Sequence, residues 1–396
     1  MGNFKTARDI IEGHAVGDAG DGKRALRPDA LILAGDAVLA ALEGERPPIG
    51  TGGAFDADRV LFFAGDCRGG GSAASRDQAQ VLAETYGFHL VHPAAGCAVT
   101  VVEERALAGP GGLVASVGLP RGEYTGDGSL LWPLASTDLP ALLEDGVFEA
   151  APPDVHRVLC RGNLGPGVLD TDVGLYVAGQ FGPGGAGGAV LEFAGDVWNA
   201  GTFSRGGGVA GAAALCGPVS ALYAPGTSAT EYAAGYEYDF SELAPRCAAG
   251  KAGGLYQEGP VLEEAGAAVE RVVIGPAAAA AELAAAARVL DGRRIHSDVS
   301  LWVSPASRRE HFSALAAGSL VKLIDAGATV LPSCVLPWED ELAGDGPVAV
   351  TGFCAFAVCF RRGVDVHYVN AISAAAAALA GEICDPVPLC KKTDSE

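Results

Sequence analysis

Short apolar runs alternate with longer stretches of helical periodicity along most of the chain. Arg59–Phe63 predicts a compact strand, and behind it Ala79, Leu82, Ala83 and Tyr86 recur at helical spacing within Asp77–Tyr86, with Gly87 as the stop. Leu113–Val117 predicts another strand and Ser136–Gly146 a helix with Asp138 near its start. Val269–Ile274 predicts a β-branched strand, followed by a turn at Gly275–Pro276 and an alanine-rich helix to about Leu290. A proline fits the start of that helix, because its missing N–H would have no partner there. Asp298–Val303 predicts a strand, Arg309–Ala326 one helix, Gly327–Val330 the start of a strand, and Ser373–Ala380 a last helix ending before Gly381. Strand and helix in repeated succession predict α/β layers on mainly parallel sheets. Pro245–Glu258 is polar, glycine-rich and aperiodic, which marks a boundary; Gly182–Gly188 is a flexible glycine tract, and neither stretch repeats as a solenoid would.

Composition narrows the classes. Apolar residues make up 49% of the 396 and charged ones only 19%, so the chain is rich enough in core-forming side chains to exclude disorder. The length allows about two or three domains of ~100–200 residues. The net charge of −21 disfavours a polyanionic partner, so no nucleic acid is expected. No membrane association is expected either: crossing a bilayer takes ~18–20 apolar residues, whereas Glu282 and Arg288 interrupt the run from Ala277 and Ala374–Ala380 is too short. The N-terminal MGNFKTARDIIEGH lacks the apolar centre of a secretory signal, and ten cysteines are scattered without a dense framework. A cytoplasmic chain whose cysteines are mostly thiols is the expectation. The 57 glycines have no three-residue period, which excludes collagen.

Candidate chemistry sits in loops. Asp66-Cys67-Arg68 follows a predicted strand, and ligands of open α/β sheets gather beyond the carboxyl ends of strands. Asp66 could exchange a proton, Cys67 act as nucleophile and Arg68 grip a carboxylate; the plain alternative is a turn former beside a buried thiol. Within Pro120–Asp127, Arg121 and Glu123 could point into a cleft with Tyr124 as a donor, or form a solvated turn with an internal ion pair. Arg68–Ser72 and Arg205–Gly208 could form backbone nests for an anion beside an arginine, or be tight turns; neither ends as a nucleotide-binding loop does. Cys354 with Cys359 and Cys384 with Cys390 are spaced too widely for a Cys-x-x-Cys clamp, and His89 and His92 lack further ligands nearby, so no metal is expected. Arg361 and Arg362 follow the apolar Phe353–Phe360; on an extended backbone adjacent side chains diverge, so one of them is placed at a cleft mouth.

Val155–Val158, Gly162–Val168, Asp172-Val173, Leu175-Tyr176 and Leu191–Gly195, followed by Tyr238–Pro245 and Ala371–Pro386, resemble in order and spacing the large catalytic subunit of 3-isopropylmalate dehydratase, in the aconitase superfamily. The resemblance implies three-layer α/β domains of the aconitase-like type on mainly parallel or mixed sheets. Residues 1–250 would form two intertwined domains and 251–396 a third, with the active cleft between them and the swivelling small-subunit domain absent. A separate small-subunit-like protein, or a homo-oligomer, is the implied partner. The family dehydrates and rehydrates a hydroxy acid on a [4Fe–4S] cluster held by three cysteines, two in a Cys-x-x-Cys motif and one in Ser-Cys-Thr-Asn.

Those groups are largely replaced here. The Ser-Cys-Thr-Asn region reads Ile274–Ala278 without a cysteine, and the paired motif falls on Cys334-Val335-Leu336-Pro337. One thiolate cannot hold the family's cluster. The family's Gly-Asp-Ser-His-Thr matches Val117–Arg121, its early Asp-His pair the neighbourhood of Asp66-Cys67, and the histidine of its Gly-Ile-Cys-His-Gln corresponds to Val99 after Gly96-Cys97-Ala98. Its Asn-x-x-Glu helix becomes the stretch around Val209–Cys216, and of its two substrate-binding arginines one is Phe356 and the other remains as Arg361. Ordinary isopropylmalate or citrate isomerisation needs a base and an electrophile that are mostly gone. The expectation is a cluster-free lyase, isomerase or cyclase without a cofactor, acting on a small carboxylate-containing substrate in specialised metabolism, such as natural product biosynthesis. Asp66 or Glu123 would be the base, Cys67 or Cys97 the acid or nucleophile, and Arg68, Arg121 or Arg361 the carboxylate grip, with Tyr124, Arg205 and Cys334 in the binding surface. A noncatalytic binding or scaffold subunit is the alternative, and an altered iron–sulfur hydro-lyase a third reading.

Overall fold

The computed structural model describes residues 7–35, 38–39, 41–42, 55–63, 73–119, 128–182, 185–199, 232–250, 256–336 and 346–390. Ala30–Ala34 reads ALILA and is buried throughout, as a strand covered on both faces must be. It is β3, the middle of a parallel sheet in the order β5 (His89–Val91), β4 (Val60–Phe63), β3, β6 (Leu113–Val117), β7 (Leu130–Leu134). The chain runs outward from β3 through β4 to β5, then returns to β6 on the other side, so the order reverses next to β3. A doubly wound sheet opens a crevice at the carboxyl ends at such a reversal. Gly118 stands there at φ +83°, where any Cβ would overlap the Ala34 carbonyl oxygen; only glycine lets the ends of β3 and β6 approach this closely.

Two smaller sheets flank it. β1 (Ala15–Gly20), β2 (Lys23–Leu26) and β8 (Phe148–Ala150) are antiparallel, whereas β10 (Val190–Ala194), β9 (Val155–Arg161) and β11 (Ala234–Asp239) are parallel. The largest sheet has the order β13 (Gln257–Pro260), β12 (Arg246–Gly250), β18 (Val366–Val369), β17 (Val348–Val350), β14 (Arg271–Ala278), β15 (Ser300–Pro305), β16 (Thr329–Val330). β12 runs antiparallel to β13 and β18, and the other neighbours are parallel. Alternation sets its two faces. Val272 and Ile274 meet the alanine-rich helices Ala280–Leu290 and Ala371–Ala380, while Val273 meets Phe356 and Tyr368 on the opposite side. Among the described residues no helix is long and apolar enough to cross a membrane.

Several expectations change. Arg309–Ala326 is two helices, Arg308–Ala316 and Ser319–Ala326, because Gly318 adopts φ +74° between them. Gly275–Pro276 lies inside β14 at a register break, and the following helix starts at Ala280, where Glu282 accepts the Ala279 N–H at 2.8 Å; proline does not open it. Phe353–Arg361 is helical, not extended. Pro245–Glu258 contains β12 and the start of β13, so the largest sheet begins ahead of residue 251; ladder bonds on both sides of β12 override a composition that reads as loop.

Glu192 is buried at the centre of β10 beside Arg157, its register partner on β9, and accepts a 3.1 Å hydrogen bond from the Tyr232 hydroxyl. Burial pushes its carboxyl up to about 7, against the lowering effect of Tyr232. The folded chain therefore holds a proton that the unfolded chain releases near 4.5, so stability falls as pH rises from about 4.5 through 7. Thermal denaturation between pH 5 and pH 8 should show this decline, and Glu192→Gln should make it shallower while keeping the Tyr232 bond, the remainder belonging to Asp172, whose carboxyl is also pushed up by burial, to about 7. An unchanged slope in the variant would contradict the assignment.

Candidate functional site

Parallel strands deliver loops to one edge, and the site is built where two such edges meet. On the large sheet, the carboxyl ends of β14, β15 and β17 are tied by side-chain hydroxyls. Gly275 N–H donates to Thr351 Oγ1 at 2.9 Å, Ser304 Oγ donates to the Pro332 carbonyl at 3.1 Å, and Val335 N–H donates to Ser304 Oγ at 3.0 Å. Cys334 follows β16, its N–H bonded to the Pro305 carbonyl at 2.8 Å and its backbone left-handed at φ +55°. A non-glycine residue in that region is held there by its surroundings.

The five-stranded sheet supplies the opposite wall. β5 leads through the turn Pro93–Ala95 to Gly96, which bridges to Ser307, and Cys97 N–H donates to the Ala306 carbonyl at 2.8 Å. Gly96 is required, since a Cβ there would stand 2.7 Å from the Ala306 oxygen. Cys97 caps the helix Ala98–Glu104, whose last carboxylate accepts the Ser307 hydroxyl; Ser307 Oγ in turn accepts the Glu310 N–H at 3.1 Å. Between these walls Cys97 and Cys334, 237 positions apart, form a disulfide with Cα atoms 5.2 Å apart. Both residues are 4% exposed.

That bond corrects the expectation of thiols at these two positions. A disulfide sulfur has neither proton nor nucleophilic lone pair of thiolate character, so Cys97 is not an acid or nucleophile while the bond is closed. Nor do the residues fit the family's [4Fe–4S] cluster. Ile274–Ala278 offers no thiol, Cys334 is already bonded, and burial pushes the Cys359 thiol up to about 12, against thiolate formation. Among the described residues, no group of three or more His, Cys, Asp or Glu stands ready to hold a metal ion.

Arg361 is placed away from this pair. It ends the helix that begins beside Gly352 at the carboxyl edge, about 12 Å away at ~1.5 Å per residue. Its side chain is exposed and its Nε donates to the Ala357 carbonyl at 3.0 Å. The positions read as lost catalytic groups are packing residues: Val99 is buried in the core of the five-stranded sheet, and Phe356 stacks on Phe360 with centroids 5.6 Å apart and packs edge-on to Tyr256. Asp66, Cys67, Arg68, Arg121, Glu123, Tyr124 and Arg205 lie outside the described residues. Asp66–Arg68 follow β4 and Arg121–Tyr124 follow β6, strands that end on the same edge as β5. Ser304, Ser307, Glu104 and Thr351 carry no sequence signal of a site; only the folded edges bring them together.

A second polar junction forms around Asp172. Asp172, fully buried at the start of the helix Asp170–Phe181, accepts N–H bonds from Leu169 at 2.7 Å, Arg246 at 2.7 Å and the Asn370 side chain at 2.6 Å. Asn370 also donates to the Gly167 carbonyl at 2.9 Å and caps the helix Ala371–Ala380 through Ser373 N–H at 2.8 Å. Arg246 pairs with Glu258 and stacks over the Tyr176 ring.

Comparison with known proteins agrees with this architecture. The sequence pattern of the aconitase family (aconitate hydratase) matches residues 72–244. The chain is 29% identical to the 3-isopropylmalate dehydratase large subunit 1 of Methanopyrus kandleri, over 73% of this chain and 75% of that one. It is 28% identical to the 3-isopropylmalate dehydratase large subunit of Oleidesulfovibrio alaskensis, over 96% and 98% respectively. The crystal structure of Thermococcus kodakaraensis aconitase X in its holo form superposes with a TM-score of 0.53 at 12% identity, covering 92% of this chain and 94% of that one, a likeness of fold. The α/β architecture is thus aconitase-like, with parallel and mixed sheets under helical layers.

Proposed function

We propose, from the premise that this chain belongs to the aconitase superfamily as a homologue of the 3-isopropylmalate dehydratase large subunit, that it is a cluster-free lyase, isomerase or cyclase of a small carboxylate-containing metabolite. The observation that carries this reading is the Cys97–Cys334 bond, which occupies the one cluster-ligand position the sequence retains. With no thiolate set to hold a Lewis-acidic cluster, substrates that need less electrophilic help are favoured.

In this reading Asp66 or Glu123 removes the proton from the carbon beside the substrate carboxylate, and Arg68 with Arg121 grips that carboxylate. The electron pair released forms the new double bond as the β-substituent leaves with a proton. Cys97 has none to give, so Cys67 or Tyr124 supplies it.

The test is proton exchange. Purified protein is incubated in D2O with a panel of small 2- and 3-hydroxy acids and followed by NMR for deuterium entry beside the carboxylate and for alkene signals. Exchange into at least one acid is expected, with Asp66→Asn or Glu123→Gln slowing it about 10²–10⁴-fold. Saturable binding of an acid with no exchange would overturn the reading in favour of a noncatalytic binding subunit.

A further inference from the structure

A cavity of about 540 Å3 opens at the amino-terminal edge of the five-stranded sheet, where β3 and β4 begin. It stands about 17 Å, one strand length at ~3.3 Å per residue, from the edge carrying Cys97. Its volume is within the range of small-molecule sites. His14, Arg27, Asp29, Phe55, Asp56 and Arg59 are among its walls.

The charges there separate into a closed pair and two open cations. His14 Nδ1 faces the Ile10 carbonyl at 2.7 Å and Nε2 faces Asp29 Oδ2 at 2.9 Å. The ring thus bridges the Ile10 carbonyl and the Asp29 carboxylate. Asp29 also accepts the Leu113 N–H at 2.9 Å, and the His14 bond holds its carboxyl below the ordinary range. The Asp29 carboxylate is thereby engaged by His14 and the Leu113 N–H. Arg59 spends one nitrogen on the Asp29 carbonyl at 2.9 Å, leaving the rest of its fork for the cavity. The Arg27 guanidinium is exposed, and among the described residues neither arginine has a carboxylate within ion-pair distance. Asp56 is the opposing charge, with one oxygen already taken by the Asp58 N–H at 3.1 Å. Phe55 supplies a largely buried aromatic wall.

We propose that this cavity is a binding site for a small metabolite bearing an oxyanion, gripped by Arg27 and Arg59 with its apolar part against Phe55. Two guanidinium forks with no carboxylate of the described residues at ion-pair distance match the planar oxygens of a carboxylate or phosphate. The ligand joins Arg27, just beyond β2, to the segment that feeds β4, so occupancy stabilises the sheet from the edge opposite the reaction cleft. This site is independent of the activity proposed above.

Isothermal titration of the full chain with inorganic phosphate and, separately, citrate at constant ionic strength tests it. Saturable binding of at least one is expected, and whichever binds identifies the oxyanion. Arg27→Gln should raise its Kd at least tenfold, as should Arg59→Gln, whereas Arg288→Gln, an exposed arginine on the helix Ala280–Leu290, should leave it unchanged. Equal weakening in all three variants would show general charge screening and overturn the proposal. So would the absence of saturable binding to both anions. Far-UV circular dichroism confirms that the variants are folded; Arg27, being exposed, is the variant on which the outcome rests.

Discussion

Cys334→Ser is expected to lower the free energy of unfolding by about 2–5 kcal/mol, the usual range for removing a native disulfide. Chain entropy is the main reason. The bond closes a loop spanning 237 positions, so cutting it returns a large conformational freedom to the unfolded chain while the folded chain gains little. Among the described residues, the polar ties beside it are the Cys97 N–H bond to Ala306, which makes the Gly96–Ser307 bridge, and the Ser307–Glu104 contact. Each contributes roughly 1 kcal/mol and cannot replace a covalent link. Because both sulfurs are buried, a small dithiol should reduce the wild-type bond only as the edges part. Denaturant unfolding of the wild type with and without dithiothreitol, alongside Cys97→Ser, Cys334→Ser and the double variant, checks the account. Reduced wild type and all three variants should converge on one lower stability. Wild type that is indifferent to the dithiol and equal in stability to the double variant would mean that the bond does not hold the edges together.

Asp172→Ala should be the most damaging single change away from that bond, at about 3–5 kcal/mol. The lost carboxylate leaves the Leu169 N–H, the Arg246 N–H and the Asn370 amide without their acceptor in a buried place, and each orphaned donor costs about 1–3 kcal/mol before relaxation. Three segments meet at this carboxylate: the loop into Asp170–Phe181, the strand β12 and the cap of Ala371–Ala380. Burial pushes its carboxyl up to about 7 in spite of the three donors, which shows how little solvent reaches it. Asp172→Asn keeps the shape but turns one acceptor into a donor facing other donors, so it should fall between wild type and alanine. Denaturant midpoints at a single pH measure the series; a loss below about 1 kcal/mol for the alanine variant would show that water or rearranged carbonyls satisfy the three groups.

Periodicity made a minority of the strands and several helices legible. Leu113–Val117 and the cores of β4, β14 and β15 are apolar runs of strand length, and the alanine-rich helices repeat small residues on the face they bury. Boundaries and breaks were less legible for identifiable reasons. Gly318 divides an otherwise continuous helical pattern, and nothing in the pattern distinguishes a glycine tolerated within a helix from one in a left-handed conformation. Phe353–Phe360 is apolar all round, so strand and helix read alike until its length and the two sides of the fold decide. The site was legible as a family and as a set of losses, through Ile274–Ala278, Val99 and Phe356. The Cys97–Cys334 pairing was not, because disulfide connectivity is set by three-dimensional approach and 237 positions separate the partners. Arg361 matched a motif position, yet the helix that carries it turns it toward solvent.

The central claim is that a covalent bond between two sheet edges takes up Cys334, the one position at which the family resemblance implies a cluster ligand. Iron and acid-labile sulfide measured per chain, on protein purified without oxygen and without added reductant, test it most directly. Substoichiometric iron and sulfide are predicted, in the wild type and in Cys334→Ser alike. Stoichiometric iron with sulfide in the wild type, lost in Cys334→Ser, would contradict it, since Cys334 would then be a ligand and not half of a disulfide.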